Sequence, residues 1–388
     1  MEQEFEINYS ELCKKDRDSI VVIDIRDEVA FNYGHIMGAL NIPLESVLER
    51  TKDFRKDKEY IIYCKTGLVS QDVVTKMREQ GFVAFNLTGG YIDWLRNHIN
   101  DFNSTEVADR VETSIRKRFK KEIFGKFVKA INEYDLVKPN DKIAVCISGG
   151  KDSMLLAKCF QELKKHNKFN FEVVFMCMDP GYSKANREVI ERNLKMLNIP
   201  ATIFESDIFD SVYNIEKSPC YICARMRRGY LYSKAKELGC NKIALGHHYD
   251  DVIETIVMGM LYGAQIQTMM PKLHSSNFEG MELIRPLYLV REDDIKRWRD
   301  YNDLYFIQCA CKFTDTCSSE SCLVNSNTGS KRMKVKNLIK KLKQEDPQIE
   351  YNIFRSVENV NLSTVIAYKD KQNITHSFLD DYDKKSNK

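Results

Sequence analysis

The sequence predicts an α/β protein of two domains, a small α/β unit followed by a doubly wound parallel sheet, and three observations predict it. Short apolar runs alternate with helix-like stretches between residues 19 and 98, the same alternation resumes at 142 and continues to about 300, and a polar stretch, 100–107, separates the two series. The expected segmentation is 1–104, a basic amphipathic linker helix over 105–141, a second domain over 142–360 with a Cys-rich C-terminal part, and a polar tail, 361–388, without order from Asp380 onward.

In the first series the strands fall at Ser19–Asp24, Tyr60–Cys64 and Val83–Leu87. In the second they fall at Lys142–Ile147, Phe171–Met178, Ala201–Phe204 and Lys242–Leu245, with helices between, so ligand is expected at the carboxyl ends of these strands. Between Thr113 and Lys129 stand Arg116, Lys117, Arg118, Lys120, Lys121, Lys126 and Lys129 against Glu122 alone. Ile115, Phe119, Ile123 and Phe127 recur every four residues, the pattern of one amphipathic helix. Lys331, Arg332, Lys334, Lys336, Lys340, Lys341 and Lys343 form a second basic cluster and Arg225, Arg227 and Arg228 a third. Such patches suit a phosphate backbone, although a charge run is also what a solvated helix face looks like.

With 388 residues, 43% hydrophobic and 30% charged, the chain has enough apolar surface for a core in each domain. The net charge of +3 is too small to imply nucleic acid by itself. The acidic start Met1-Glu-Gln-Glu and the lack of a long apolar run lead to the expectation of a cytoplasmic protein without a membrane span. Twelve cysteines then point to thiol or metal chemistry rather than a disulfide framework, while Cys146, Cys159 and Cys177 lie inside apolar patterns and are expected to be buried.

Ser148-Gly149-Gly150-Lys151-Asp152-Ser153 follows a strand and opens a helix. Two glycines allow the backbone to approach an oxyanion, and the helix amides with Lys151 supply positive potential, so the run reads as a pyrophosphate-binding turn. It lacks the spacing of a Walker-type loop. Cys64 ends a strand just before a helix, where amides would stabilise an anionic sulfur adduct such as a persulfide. Cys220 and Cys223 have the spacing that lets two thiolates reach one metal; zinc, an iron-sulfur cluster, a redox disulfide and two incidental thiols all remain open. Leu245-Gly246-His247-His248-Tyr249-Asp250-Asp251 follows a strand on the ligand side of the sheet, where paired acids could serve magnesium or phosphates.

The N-terminal pattern, Val22–Arg26, Gly34–Pro43, Cys64–Ser70 and Gly89–Trp94, resembles a single-domain rhodanese, which implies that Cys64 carries a transferable sulfur. The CxxGxRS of many active members has Val69 in place of the arginine, which puts thiosulfate as donor in doubt and leaves persulfide relay from a protein untouched. Asp24, Arg26 and His35 are expected to be structural or loop-orienting.

SGGKDS, Cys220–Gly229 and Leu245–Asp251, with Arg285-Pro286-Leu287 and Ile307-Gln308-Cys309 downstream, resemble the tRNA 2-thiocytidine synthetases over residues 110–312. That resemblance implies an adenine nucleotide alpha hydrolase-like PP-loop domain and an enzyme that adenylates a cytidine, expected at tRNA position 32, and replaces its C2 oxygen with sulfur. It further implies ATP with Mg2+ and a 4Fe-4S cluster on Cys220, Cys223 and Cys309, with Cys311 as the fallback because the spacing there is shortened. ATP is expected on Ser148–Ser153, Gly246, His247 and Asp251, with Lys151 and Asp152 catalytic. The tRNA is expected on Arg116, Arg118, Arg225, Arg227 and Arg228. Cysteine desulfurase or free sulfide is the expected sulfur donor, and a second copy a further partner. Cys317 and Cys322 have no counterpart in the pattern. A thiolase for another tRNA position such as a 2-thiouridine, a protein persulfide relay, and an iron-sulfur and nucleotide-binding sensor stand as alternatives.

Overall fold

The computed structural model describes residues 5–100, 104–166, 169–206, 208, 219–307, 331–380 and 382, without the side chains at 99–100, 104–105, 219–221 and 223–224. Two compact units emerge: Met1–Tyr249 with Met270–Thr328, and Asp250–Met269 with Gly329–Lys388.

The larger unit holds two sheets. In the first, β1 (Glu6–Ile7), β2 (Ile20–Asp24), β3 (Leu40–Asn41), β4 (Glu59–Tyr63) and β5 (Val83–Leu87) run parallel in the order β1-β5-β4-β2-β3. The β-branched run Ile20–Ile23, with Val21 half-buried, and the aromatic and aliphatic run Tyr60–Tyr63 are buried, as expected of strands covered on both faces. The second sheet contains β6 (Lys142–Ile147), β7 (Glu172–Asp179), β8 (Ala201–Glu205), β9 (Lys242–Ala244), β10 (Lys272–His274) and β11 (Glu282–Ile284), in the order β10-β11-β9-β6-β7-β8.

All neighbours in the second sheet are parallel except β10, which pairs antiparallel with β11. The expectation of a parallel sheet is therefore corrected at one edge, where a seven-residue turn, 275–281, lets the chain double back. Strand order reverses at β6: later strands leave it in both directions. The crevice beyond the carboxyl ends of β6 and β9 is thus a topological switch point. At the opposite end of these strands, buried Lys242 lies 2.9 Å from Asp141 and 3.0 Å from Glu282 and donates to the Leu136 carbonyl, tying β6, β9 and β11 together where no ligand is expected.

The single basic helix anticipated over 113–129 is instead three pieces: helix Ser104–Arg116, a π-turn at Lys120–Phe124 and helix Gly125–Glu133. The wide turn brings the Lys120 carbonyl to 2.9 Å from where a Cβ on Gly125 would sit, a position that glycine leaves clear. Its apolar stripe survives the break, because Ile115, Phe119, Ile123 and Phe127 are all buried and Phe127 meets Phe160 edge to face. Rather than spanning two domains as a free connector, the segment packs on the second.

The smaller unit contains helices Lys331–Glu345 and Ile349–Ser356 and a hairpin of β12 (Ala367–Lys369) and β13 (Thr375–Ser377) within the segment expected as a polar tail. Of the end expected to lack order, residues 381 and 383–388 lie outside the described residues.

Candidate functional site

Both chemically informative turns start where a parallel strand stops. Cys64 stands one residue beyond β4, buried; its Sγ accepts the Gly67 amide at 3.1 Å and lies 3.3 Å from Ser70 Oγ. Ser70 Oγ donates to Asn86 Oδ1 at 2.6 Å, and Asn86 in turn donates to the Gly67 carbonyl and the Glu6 carboxylate. The Gly67 peptide that donates to the sulfur and the Ser70 hydroxyl beside it are thus both held by Asn86. Gly67, at φ +83°, has the amides of Gly89 and Gly90 where a Cβ would project, at 2.9 and 3.0 Å, which no side chain could share. Val69, in the place of the missing arginine, packs against the core of this sheet.

Asp24 and Arg26 hold the neighbouring loop, as expected. Arg26 grips Asp24, donates to the Gly34 carbonyl at 2.7 Å and lies 4.0 Å from the Tyr91 ring. Burial opposes the guanidinium's charge but Asp24 outweighs it, so its pKa rises. His35 Nδ1 lies 2.9 Å from the Phe31 carbonyl.

At the second turn, Gly149 takes φ +85° and Gly150 caps helix Lys151–Lys165 without a side-chain bond, so the first helical amides face outward. Ser153 Oγ closes the turn by donating to the Gly150 carbonyl and accepting from the Ser148 amide. Gly246, beyond β9, lies so close that a Cβ would come 3.1 Å from the Ser153 amide nitrogen. His248 Nε2 is 3.9 Å from Asp152 Oδ1, a buried oxygen without a hydrogen bond among the described residues. Residues 148–153 and 246–248, a hundred positions apart in the chain, thus meet at the switch point.

Lys151 differs from its expected posture. Its ammonium is buried between Asp152 at 3.1 Å and Glu292 at 3.2 Å rather than open to a ligand. Burial pulls its pKa down and the charges of Asp152, Tyr33 and Glu292 more than restore it, so it is raised and the ammonium stays charged. His247 accepts from Arg285 Nε at 3.3 Å, which gives the Arg-Pro-Leu motif a role. Asp251 belongs to the smaller unit, where Arg332 lies 3.5 Å from it and 3.0 Å from Glu254.

Cys220 and Cys223 fall in the first turns of helix Pro219–Glu237. Ile222, between them, packs with Met178, Ile208, Tyr182, Phe204 and Leu231, which sets that turn near the carboxyl ends of β7 and β8. Cys309, Cys311, Cys317 and Cys322 lie outside the described residues. Cys146, Cys159 and Cys177 are buried as expected, and burial pushes the first and last up to about 12. Among the basic residues, Arg118, Arg225 and Arg228 are exposed, Arg227 is half-buried, and Arg116 lies 3.6 Å from buried Glu162.

Sequence reasoning missed Glu292, Tyr33 and Asp179. Asp179 ends β7 and accepts from the Gly181 and Tyr182 amides and from Arg187 at 2.6 Å; its Asp-Pro-Gly signature was readable as a turn. Nothing local marks the other two.

The PP-loop domain family matches residues 116–312 and the rhodanese-like domain family residues 10–97. Over 250 residues, 64% of this chain and 84% of the relative, it is 34% identical to a tRNA-cytidine(32) 2-sulfurtransferase of Acaryochloris marina. The chain belongs to the PP-loop sulfurtransferases. It is 40% identical over 183 residues to the protein of the same name from Neisseria meningitidis, a match covering 46% of this chain and 57% of that one. A solved structure, the U34-tRNA thiolase NcsA from Methanococcus maripaludis with its [4Fe-4S] cluster, is 24% identical with a TM-score of 0.49, covering 62% of this chain and 78% of that one. No helix among the described residues is long and apolar enough to cross a membrane.

Proposed function

We propose that this PP-loop sulfurtransferase is an ATP-dependent tRNA thiolase that replaces the C2 oxygen of a cytidine, at position 32, with sulfur carried to it by Cys64. The observation that carries the reading is the meeting of the Ser148–Ser153 turn with Gly246–His248 at the switch point, in a chain whose other turn sets a buried cysteine sulfur against the Gly67 amide. A pyrimidine carbonyl is a poor electrophile, so its oxygen must first become a leaving group. The outward amides at the start of helix Lys151–Lys165 suit pyrophosphate, and unsatisfied Asp152 Oδ1 suits a Mg2+ or a bound water beside it.

With ATP held there, the base oxygen attacks the α-phosphorus and pyrophosphate leaves. A hydrosulfide then adds at C2, and AMP departs with the original oxygen. Lys151, charged within its acid pair, contributes fixed positive potential beside the departing pyrophosphate. Cys220, Cys223 and Cys309, or Cys311 in its place, would hold a 4Fe-4S cluster, whose thiolate donor set they match, and the group supplies an open iron position for hydrosulfide. Releasing hydrosulfide from a Cys64 persulfide takes a second thiol, which is left as a disulfide with Cys64. Exposed Arg118, Arg225 and Arg228, with Arg227 and the outer part of Arg116, would hold the RNA phosphates, and the target base would be flipped toward the crevice.

Mass spectrometry of tRNA nucleosides from a deletion strain tests the reading. Loss of 2-thiocytidine is expected; unchanged 2-thiocytidine with a missing 2-thiouridine would transfer the activity to another position. Anaerobic purification of wild type and Cys220→Ala, with iron and sulfide analysis, tests the metal: a colourless, iron-free wild type would point to zinc.

A further inference from the structure

The outward amides of the PP-loop are met by a residue from the rhodanese-like domain. Helix Glu28–Tyr33 ends in Tyr33, whose hydroxyl accepts a hydrogen bond from the Lys151 amide at 3.2 Å. That oxygen is 2.8 Å from where a Cβ on Gly150 would sit, and the Lys151 ammonium lies 4.9 Å from the tyrosine ring. The side chain is placed from both sides. Arg26 and His35 hold the backbone around it through the Gly34 and Phe31 carbonyls, and Arg299, beyond the PP-loop, donates to the Asn32 and Tyr33 carbonyls at the end of the helix.

The contact belongs to a larger docked face. Helix Gly90–Asn100 lies along helix Lys184–Met196, with Arg96 3.4 Å from Glu188 and Arg192 donating to the Arg96 carbonyl at 2.5 Å. Trp94 and His98 meet the Tyr305 ring edge to face, at 5.1 and 4.9 Å.

An amide has one hydrogen, and the first amides of this helix are few. A phosphate oxygen binding the Lys151 amide would need the position the Tyr33 oxygen holds, and two oxygens cannot occupy it together. We propose that Tyr33 is an internal plug: docking of the rhodanese-like domain and binding of the nucleotide's pyrophosphate compete for the Lys151 amide, so ATP enters as Tyr33 withdraws. The inference rests on the reading of residues 148–153 as an ATP site. It makes sulfur carriage and base activation alternate states of one chain, with the domain's release coupled to nucleotide.

Titration calorimetry of the full-length protein with α,β-methylene-ATP, whose α–β linkage resists cleavage, tests it on wild type, Tyr33→Phe and Arg299→Gln. Removing the competing oxygen is worth about one hydrogen bond, so Tyr33→Phe binds about five- to tenfold tighter, and Arg299→Gln shifts the same way from the opposite side of the contact. In wild type the analogue raises hydrogen exchange in residues 90–100 and 184–196. Equal affinity in all three proteins, or unchanged exchange with analogue bound, overturns the plug and leaves the ATP site standing. No binding by any of the three overturns the ATP site and the plug together.

Discussion

The Cys64 turn and the PP-loop share a plan: a parallel strand, a glycine in the left-handed region, and then a helix. They differ in which amide finds a partner, Gly67 two residues before helix Val69–Glu79 in one and Lys151 at the first position of its helix in the other, and in where that partner comes from. Around Cys64 it is the protein's own sulfur, three residues upstream, and Ser70, Asn86 and Glu6 brace the arrangement within one sheet. At the PP-loop it is a tyrosine oxygen 118 residues away, and the charged groups nearby, Lys151 with Asp152 and Glu292, are already paired. A self-contained cradle is ready at all times, whereas one satisfied from another domain can be opened by moving that domain.

The contrast can be broken first at its chemistry. Cys64→Ala should cut labelled-sulfur loading by on the order of 100-fold or more, since the nucleophile itself is gone, while AMP release with tRNA and free sulfide continues. Loss of both would mean that the two turns are not separate sites. Asp152→Asn should have the converse pattern: AMP and pyrophosphate release falls about 10²- to 10³-fold, the range for removing one preorganised electrostatic group, while sulfur loading of Cys64 is retained. Steady-state assays of the two outputs on each variant decide the matter.

A smaller effect sharpens the comparison of the two glycines. An alanine at Gly67 would meet backbone nitrogens of Gly89 and Gly90, which cannot swing aside, while at Gly149 it would meet the side chains of Ile190, at 2.7 Å, and Ile307. Both carry the cost of a left-handed backbone, about 1–2 kcal/mol. Thermal melting should therefore show Gly67→Ala as the more damaging of the two, and the reverse order would contradict the rigid description of the Cys64 cradle.

The smallest effect concerns pH. Burial, partly opposed by the charge of Lys151, pushes Tyr33 up to about 12, and Tyr91 beside it is likewise pushed up to about 12 by burial. A folded-state value above the unfolded tyrosine's ~10 means that this stabilisation is complete below about pH 10 and is lost as the pH rises through the folded value. Melting temperature should be insensitive to these groups at neutral pH and fall in alkali, and Tyr33→Phe should flatten part of that fall. An equal alkaline loss in the variant would show that the docked tyrosine contributes nothing.

Strand positions were legible because burial on two faces leaves dense β-branched and aromatic runs, as at Ile143–Ile147, and turns were legible because glycine spacing is a local requirement. The stripe Ile115, Phe119, Ile123 and Phe127 correctly gave a buried face, yet its four-residue period fitted a straight helix and a π-turn alike. That Arg116, an exposed residue of the basic run, also lies 3.6 Å from buried Glu162, 46 positions later, is a pairing that no local pattern shows. Each turn lies within the residues that its family matches.

From its residues alone, this chain declared two glycine turns between strand and helix, because each depends on neighbours within a few positions, and the family, because its motifs keep their order along the chain. Only the folded molecule decided that Lys151 is locked between two acids, that β10 runs antiparallel, and that Tyr33 fills the PP-loop. These pairings join residues far apart in sequence, and a contact made by packing leaves no periodicity for the sequence to reveal.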